Sequence, residues 1–275
     1  TLTNRVAERF KAAPPEPVAP AKTETSAPAA PQFPPLNCEN YVTIRDMDTL
    51  RQWLDAIRDK GVVAVLANAG IIELSTYSTN LLTLLVIAAG TASYAGQVAR
   101  YAIEHWCRIP TEVELAHEFR YRDPIVNEKT LVVALSQSGE TMDTLMAVRH
   151  ARQQGAKVIA ICNTQGSSIP RESDAALYTH AGPEIAVAST KAFLAQITAT
   201  YLLGLYLAQL RGNMFADEIQ GVLAELRHMP DKVQSVIDEE DQVANLANSM
   251  KDAESVLFLG RHVGFPVAME GALKL

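Results

Sequence analysis

The chain has 275 residues, a hydrophobic fraction of 48% and a formal net charge of −7. Its apolar content is sufficient for one large or two small packed domains, and its negative charge argues against non-specific nucleic-acid binding. The three cysteines, Cys38, Cys107 and Cys162, form no C-x-x-C pair and no zinc-like spacing with histidine. We therefore expect no metal site and no cofactor, a cytoplasmic location and no nucleic-acid partner.

Residues 1–39 are predicted to be a disordered linker rich in proline and alanine. Eight of the fourteen prolines lie between residues 12 and 35. Because proline fixes φ and removes a backbone donor, neither a helix nor a sheet propagates through such a stretch. The chain also begins without methionine, so we expect it to be a fragment of a longer protein.

Residues 40–70 are predicted to form a small β-α-β fragment. YVTI alternates as a strand does, DTLRQWLDAI has apolar residues at helical spacing, and VVAVL is typical of a second strand. With the preceding linker, these stretches resemble the start of the 3′–5′ exonuclease-type domain of family A DNA polymerases. The metal-binding D-x-E that this resemblance implies is absent from the sequence after VVAVL, so no catalytic role follows.

From residue 80 onwards, predicted strands alternate with predicted helices. The strands are predicted at 81–90, at 111–116, from 130 into a polar turn ending at 141, at 157–163 and at 175–181, with helices at 95–106 and 142–154. These strands are continuous apolar runs, which are typical of a parallel sheet covered on both faces. An α/β domain over residues 80–212 follows from this alternation.

The most apolar stretch spans residues 185–210, where Lys191 is the one charged residue. Ser189, Thr190, Gln196, Thr198 and Thr200 interrupt the run, so we expect a buried core or subunit-interface helix and no membrane partner. Such an apolar helix also predicts a homodimer.

Residues 213–253 are predicted to form a charged helical connector. Residues 254–275 predict the truncated start of a second α/β unit, with a strand at 255–260 and a helix at 266–275.

The stretch SQSGET, residues 136–141, lies where an apolar strand ends and a helix begins. Its three hydroxyls, together with the free N–H groups and dipole of a helix N-terminus, favour an anion. Ordinary helix capping produces a similar pattern. Taken alone, the motif therefore leaves phosphate binding and simple capping open.

Three further polar segments follow predicted strands. They are residues 90–93, residues 163–168, and residues 183–193, in which Ser189 and Lys191 are candidates to face a ligand. Because the carboxyl ends of parallel strands meet at one edge of a sheet, these loops are expected to surround one crevice.

The stretches IAAGTASYAG, EFRYRDP, LSQSGETMDTL, CNTQGSSIPRESD and HAGPEIAVASTKAF follow one another in this order. Together they make residues 80–275 resemble the sugar isomerase (SIS) region of the glutamine–fructose-6-phosphate aminotransferase family. The resemblance implies a three-layer α/β/α sandwich with a five-stranded parallel sheet. It also implies a sugar-phosphate ligand and the conversion of fructose 6-phosphate into glucosamine 6-phosphate with glutamine-derived ammonia.

The resemblance also implies roles for particular residues. Those expected to bind the sugar phosphate are Thr91, Ala92, Ser136, Gln137, Ser138, Thr141, Val187, Ala188 and Ser189. Glu270 and Lys274 lie on a helix expected to bring catalytic residues to the site. The chain departs from the family pattern at Ala89, usually cysteine, and at Ala92, often serine. The family's glutaminase domain, carboxylate base and imine-forming lysine have no counterpart in these residues, so we expect this chain to be inactive alone.

Two alternatives remain open on sequence grounds. One is a non-catalytic SIS-domain sensor of sugar phosphates, which would carry a DNA-binding helix-turn-helix upstream; residues 1–79 lack that pattern. The other is a phosphosugar deaminase or ketose isomerase built on paired SIS domains. The gene sequence on both sides of these 275 codons would distinguish these alternatives from an aminotransferase.

Overall fold

A computed structural model describes residues 80–186 and 189–275 of the chain. The predicted linker and β-α-β fragment lie outside the described residues. The strands are β1 Thr83–Ala88, β2 Thr111–Leu115, β3 Thr130–Ser136, β4 Lys157–Cys162 and β5 Ala175–Tyr178. The helices of the described part are α1 Thr91–Cys107, α2 Ala116–Phe119, α3 Met142–Gln153, α4 Ser168–Arg171, α5 Lys191–Leu210, α6 Ala216–Arg227, α7 Met229–Ile237, α8 Glu240–Met250 and α9 Gly264–Lys274.

The five strands form one parallel sheet in the order β2-β1-β3-β4-β5. The central strand β3 is buried along its whole length. A strand covered on both faces has no solvent side, which is why its sequence TLVVALS lacks the polar alternation of an exposed sheet. The predicted five-stranded parallel sheet is confirmed.

Helices cover both faces of the sheet. On one face, the core combines side chains from β1 and β3 with those of α1, α5 and α6, among them Val86, Leu135, Ile103, Leu203 and Leu223. On the other face, a second core combines the sheet with α2, α3 and α4, among them Val132, Phe119, Leu145, Val148 and Ile169. The molecule is therefore the three-layer α/β/α sandwich that the resemblance implied.

Helix α5 is the apolar helix that the sequence predicts, but it begins at Lys191 rather than at residue 185. By length and composition alone, this helix is apolar enough to cross a membrane, and its most apolar stretch has a mean hydropathy of 1.3. In this fold 56% of that window is buried, largely against α1, where Cys107 Sγ donates a hydrogen bond to the Gly204 carbonyl at 3.1 Å. It is a helix of the domain core.

The C-terminal part differs from the sequence prediction in two places. The helical connector predicted over residues 213–253 consists of three helices, and Pro230 occupies the start of the second of them. The strand prediction for residues 255–260 is wrong, because none of the described residues pairs with this extended segment. A strand requires a neighbour to satisfy its backbone groups. The predicted helix after it is present as α9, and His262 stacks on Tyr101 of α1 with ring centroids 4.4 Å apart.

Close packing of α1 on the sheet depends on a glycine, which yields the first prediction. A Cβ at Gly96 would lie 2.8 Å from Val86 Cγ1 and 3.3 Å from Val113 Cγ1. Valine side chains are β-branched and therefore stiff at χ1. We therefore expect Gly96→Ala to lower the free energy of unfolding by about 1–3 kcal/mol, the usual cost of overpacking. Urea denaturation measures this change.

The matched control is Gly221→Ala on α6, where an added Cβ meets nothing within 4 Å. Since alanine favours a helix over glycine, this variant should be unchanged or more stable by up to about 1 kcal/mol. Equal effects of the two substitutions would contradict the packing argument.

Candidate functional site

A cavity of about 400 Å³ opens at the carboxyl edge of the sheet. In the strand order, β1 and β3 are neighbours, yet the chain leaves β1 into α1 on one face and leaves β3 into α3 on the other. The two loops diverge there, which leaves a crevice at the point where ligands bind in open α/β sheets. The lining residues are Ala89, Gly90, Thr91, Ala92, Leu135, Ser136, Gln137, Ser138, Thr141, Ser189, Gln196, Leu273 and Lys274.

The loop between β3 and α3 presents its hydroxyls to this cavity. Ser136 Oγ accepts a hydrogen bond from the Gly139 N–H at 3.0 Å and lies 3.3 Å from Thr141 Oγ1. Ser138 Oγ accepts one from the Glu140 N–H at 3.2 Å. Thr141 is the N-cap residue of α3, but its side chain makes no capping hydrogen bond. Capping therefore does not occupy the Thr141 hydroxyl, and the positive end of the α3 dipole faces the crevice.

The loop after β4, which the sequence placed beside the ligand, lies behind the β3–α3 loop instead. Residues 163–168 contribute nothing to the cavity lining. The Asn163 N–H donates to the Gln137 carbonyl at 3.1 Å, and the Ile169 N–H donates to the Gly139 carbonyl at 2.9 Å. The Glu140 carboxylate accepts from the Ser168 N–H at 2.8 Å. This loop supports the β3–α3 loop from behind, so the prediction that it borders the crevice is corrected.

Ser189 lines the cavity just before α5 begins. Glu184 holds this segment, because its carboxylate accepts hydrogen bonds from Thr190 Oγ1 at 2.6 Å and the Ala192 N–H at 3.2 Å. Burial raises the pKa of Glu184, but these hydrogen bonds outweigh it, so the pKa lies below its ordinary value. The bonds explain why the helix begins at Lys191, whose exposed side chain is not part of the lining. Val187 and Ala188 lie outside the described residues.

Helix α9 closes another side of the cavity. Lys274 Nζ donates a hydrogen bond to Thr91 Oγ1 at 2.7 Å and lies 2.7 Å from Glu270 Oε1. Glu270 is 7% exposed, and its second oxygen is buried without a partner among the described residues. Lys274 is the one charged side chain among the described lining residues. The structure thus joins two residues of the C-terminal segment to the β1–α1 turn.

Sequence reasoning omitted several lining residues, most notably Gln196. This residue lies on the second turn of α5 and is 2% exposed. The omitted apolar contributors are Leu135 and Leu273, whereas Gly90 belongs to the predicted segment 90–93 and Ala89 directly precedes it. Gln196 is one of two glutamines on α5, the other being Gln209, so the sequence alone did not single it out. Its distance in sequence from the other polar loops hid its position.

Comparison with known proteins agrees with the fold. Residues 80–206 match the family model of the SIS domain. The parallel sheet, the helical layers on both faces and the crevice at its carboxyl edge thus define a SIS-domain protein.

The particular family follows from two kinds of relative. The chain is 86% identical over 193 residues to the glutamine–fructose-6-phosphate aminotransferase (isomerizing) of Corynebacterium diphtheriae, covering 70% of this chain and 31% of that protein. It is 80% identical over 192 residues to the Corynebacterium glutamicum enzyme of the same name, with coverage of 70% and 31%. The solved C-terminal domain of glucosamine-fructose-6-phosphate aminotransferase from Francisella tularensis is 34% identical, with a TM-score of 0.72 and coverage of 86% of this chain and 68% of that one.

The chain therefore belongs to the glutamine–fructose-6-phosphate aminotransferase family, as the resemblance indicated. It spans about a third of the length of these curated relatives.

The support behind the β3–α3 loop yields the second prediction. Gly139 has a φ of +69°, and an added Cβ would lie 1.9 Å from Ser167 Oγ. We expect Gly139→Ala to displace the two loops from each other and to lower the midpoint of thermal unfolding. The loss combines left-handed backbone strain of about 1–2 kcal/mol with the steric clash.

Gly166→Ala is the matched control, because Gly166 has a φ of +70° and an added Cβ there meets nothing within 4 Å. The control carries the backbone strain without the clash, so the difference between the variants measures the contact with Ser167. If both variants unfold at the same temperature, the close approach of the loops has no energetic role.

Proposed function

We propose that the cavity binds fructose 6-phosphate or glucosamine 6-phosphate, with the phosphate on residues 136–141. The observation that carries this proposal is a loop of hydroxyl groups at the N-terminus of α3, where the N-cap side chain makes no capping bond. Hydroxyls and free N–H groups at a helix N-terminus are suited to a phosphate. Membership of the aminotransferase family supports a sugar phosphate over inorganic phosphate as the ligand.

In this arrangement the expected ligand residues divide between the two ends of the ligand. Ser136, Gln137, Ser138 and Thr141 hold the phosphate. Thr91 and Ala92 contribute the opposite wall, and Ser189 faces the sugar, with Val187 and Ala188 beside it in sequence. Lys274 brings a positive charge to the wall formed by Thr91, to which it is hydrogen-bonded.

We further propose that the chain supplies this site to a glutamine–fructose-6-phosphate aminotransferase in the cytoplasm. That reaction transfers an amino group to C2 of fructose 6-phosphate and moves a proton from C1 to C2, which requires groups that exchange protons beside the sugar. Glu270 and Lys274 form an ion pair that adjoins the cavity through Lys274, so we assign them to proton handling. The sequence identity of 86% to a protein of that name supports this reading.

A sugar-phosphate sensor and a phosphosugar deaminase or isomerase could use a similar cavity on the same fold. Neither alternative is favoured by a feature of the described residues. The high identity to aminotransferases covers 70% of the chain, and we therefore retain the aminotransferase as the proposed function.

The third prediction tests phosphate binding by isothermal titration calorimetry with fructose 6-phosphate. Ser138→Ala and Thr141→Val each remove one hydroxyl that lines the cavity. Because a hydrogen bond to a charged group contributes about 1.5–3 kcal/mol, each variant should bind more weakly by that amount. Ser235→Ala on α7 is the control, since the Ser235 hydroxyl lies on the surface and donates a hydrogen bond to the Lys232 carbonyl. Unchanged affinity in both site variants would remove this loop from the binding site.

We also propose that the chain forms a homodimer. Several large apolar side chains of the C-terminal segment are exposed, including Leu257 at 85%, Leu259 at 89% and Val267 at 51%. Large apolar side chains exposed together in one short segment are typical of an interface.

The fourth prediction follows from this exposed surface. Size-exclusion chromatography with light scattering at micromolar concentration should report twice the mass of the chain. Leu259→Glu should shift the population towards monomer, whereas Val243→Glu on α8 tests whether the apolar side chains of that helix belong to the same interface. A monodisperse monomer of the unmodified chain would exclude the proposed dimer.

A further inference from the structure

Gln196 is a buried amide that the phosphate site does not use. Its side chain lines the cavity, and the residue is only 2% exposed. The side-chain oxygen Oε1 is buried and has no hydrogen-bond partner among the described residues. The backbone carbonyl of Gln196, by contrast, accepts a hydrogen bond from Thr200 Oγ1 at 2.7 Å.

An amide oxygen in this position is unfavourable unless something pairs with it. A buried acceptor that has given up water without gaining a donor costs free energy comparable to a lost hydrogen bond. The surrounding positions of α5 show no such cost, because Ala192 and Ala199 are buried with apolar side chains. Since Gln196 lies at the cavity wall, a ligand in that cavity can donate the hydrogen bond that Oε1 lacks and so offset this cost.

We propose that Gln196 is a specificity-determining residue that accepts a hydrogen bond from a hydroxyl group of the sugar. This inference rests on the proposed sugar-phosphate function. A phosphate dianion cannot pair with Oε1, because it offers acceptors and no donor to an amide oxygen. A sugar hydroxyl can donate to the oxygen, and a neighbouring hydroxyl can accept from the amide nitrogen.

The position of Gln196 gives it a task different from that of the β3–α3 loop. That loop lies at the dipole of α3 and responds to the charge that every phosphorylated ligand carries. Gln196 comes from α5, the helix that Ser189 precedes, and a neutral amide responds to hydroxyls. A site built to pair a substrate hydroxyl discriminates against ligands that lack it, because its own polar group is then left unpaired.

The fifth prediction compares two ligands in one titration series. Gln196→Met keeps the length of the side chain and removes the amide. We expect it to weaken fructose 6-phosphate binding about tenfold, the factor expected for one neutral hydrogen bond, while inorganic phosphate binds as before. Gln209→Met, on the same helix but outside the cavity lining, is the control and should leave both affinities unchanged.

Deoxy analogues of fructose 6-phosphate identify the hydroxyl. For the unmodified chain, one of the 1-deoxy, 3-deoxy and 4-deoxy compounds should bind about tenfold more weakly than fructose 6-phosphate. For Gln196→Met, the same analogue should bind as well as fructose 6-phosphate, because the partner group is already gone. Thermal unfolding establishes that the variants are folded, and Gln196→Leu takes the place of the methionine variant if that one is not.

The outcomes separate this inference from the function on which it rests. If the unmodified chain binds inorganic phosphate but not fructose 6-phosphate, the proposed function fails. If fructose 6-phosphate binds to the unmodified chain and to Gln196→Met with affinities within about twofold, Gln196 has no part in recognition. An equal loss of phosphate and sugar-phosphate binding would assign Gln196 a purely structural role and overturn the inference.

Discussion

The parallel arrangement of β1 beside β3 is the constraint on which the rest of the site depends. Both strands are buried on their two faces, so polar groups can occur only where the strands end. Parallel pairing places those ends at the same edge, and the chain then leaves them towards opposite helical layers. The crevice is thus a consequence of strand order. Residues 90–92 and 136–141 face one another although more than forty positions separate them in sequence.

A crevice alone does not hold its loops in a binding geometry, and here the loop after β4 does so. It donates backbone N–H groups to carbonyls of the β3–α3 loop and packs Ser167 against Gly139. Because Gly139 has no side chain, the two backbones approach more closely than any other residue would permit. Glu184 has a similar effect at the start of α5, where it fixes the segment around Ser189. Much of the polar sequence near the site therefore orders the binding groups without touching a ligand.

The fold was predictable because its signals are local and repeated. Continuous apolar strands followed by Gly, Ser and Thr turns indicated the sheet and the polar strand-to-helix loop around Ser138. What the sequence did not reveal depends on long-range packing. Residues 163–168 have the same composition as a ligand loop, yet their hydrogen bonds turn them towards Gln137 and Gly139. Residues 255–260 have strand composition, but pairing is a property of two segments. In the sequence Gln196 resembles any other helical glutamine, and only the packing of α5 onto α1 and the sheet places it at the cavity.

Charge at the cavity is local and nearly balanced, which explains why the net charge of −7 carries little information about the ligand. Exposed charges more than about 8–10 Å away are screened at physiological ionic strength, and Lys274 is already paired with Glu270. Attraction for an anion must then come from the α3 dipole and from directed hydroxyl and N–H donors. Hydrogen bonds of this kind depend strongly on angle and distance. For that reason the close approach at Gly139, the bonds of Glu184 and the docking of α9 on Thr91 bear on the proposed recognition as directly as the residues proposed to touch the ligand.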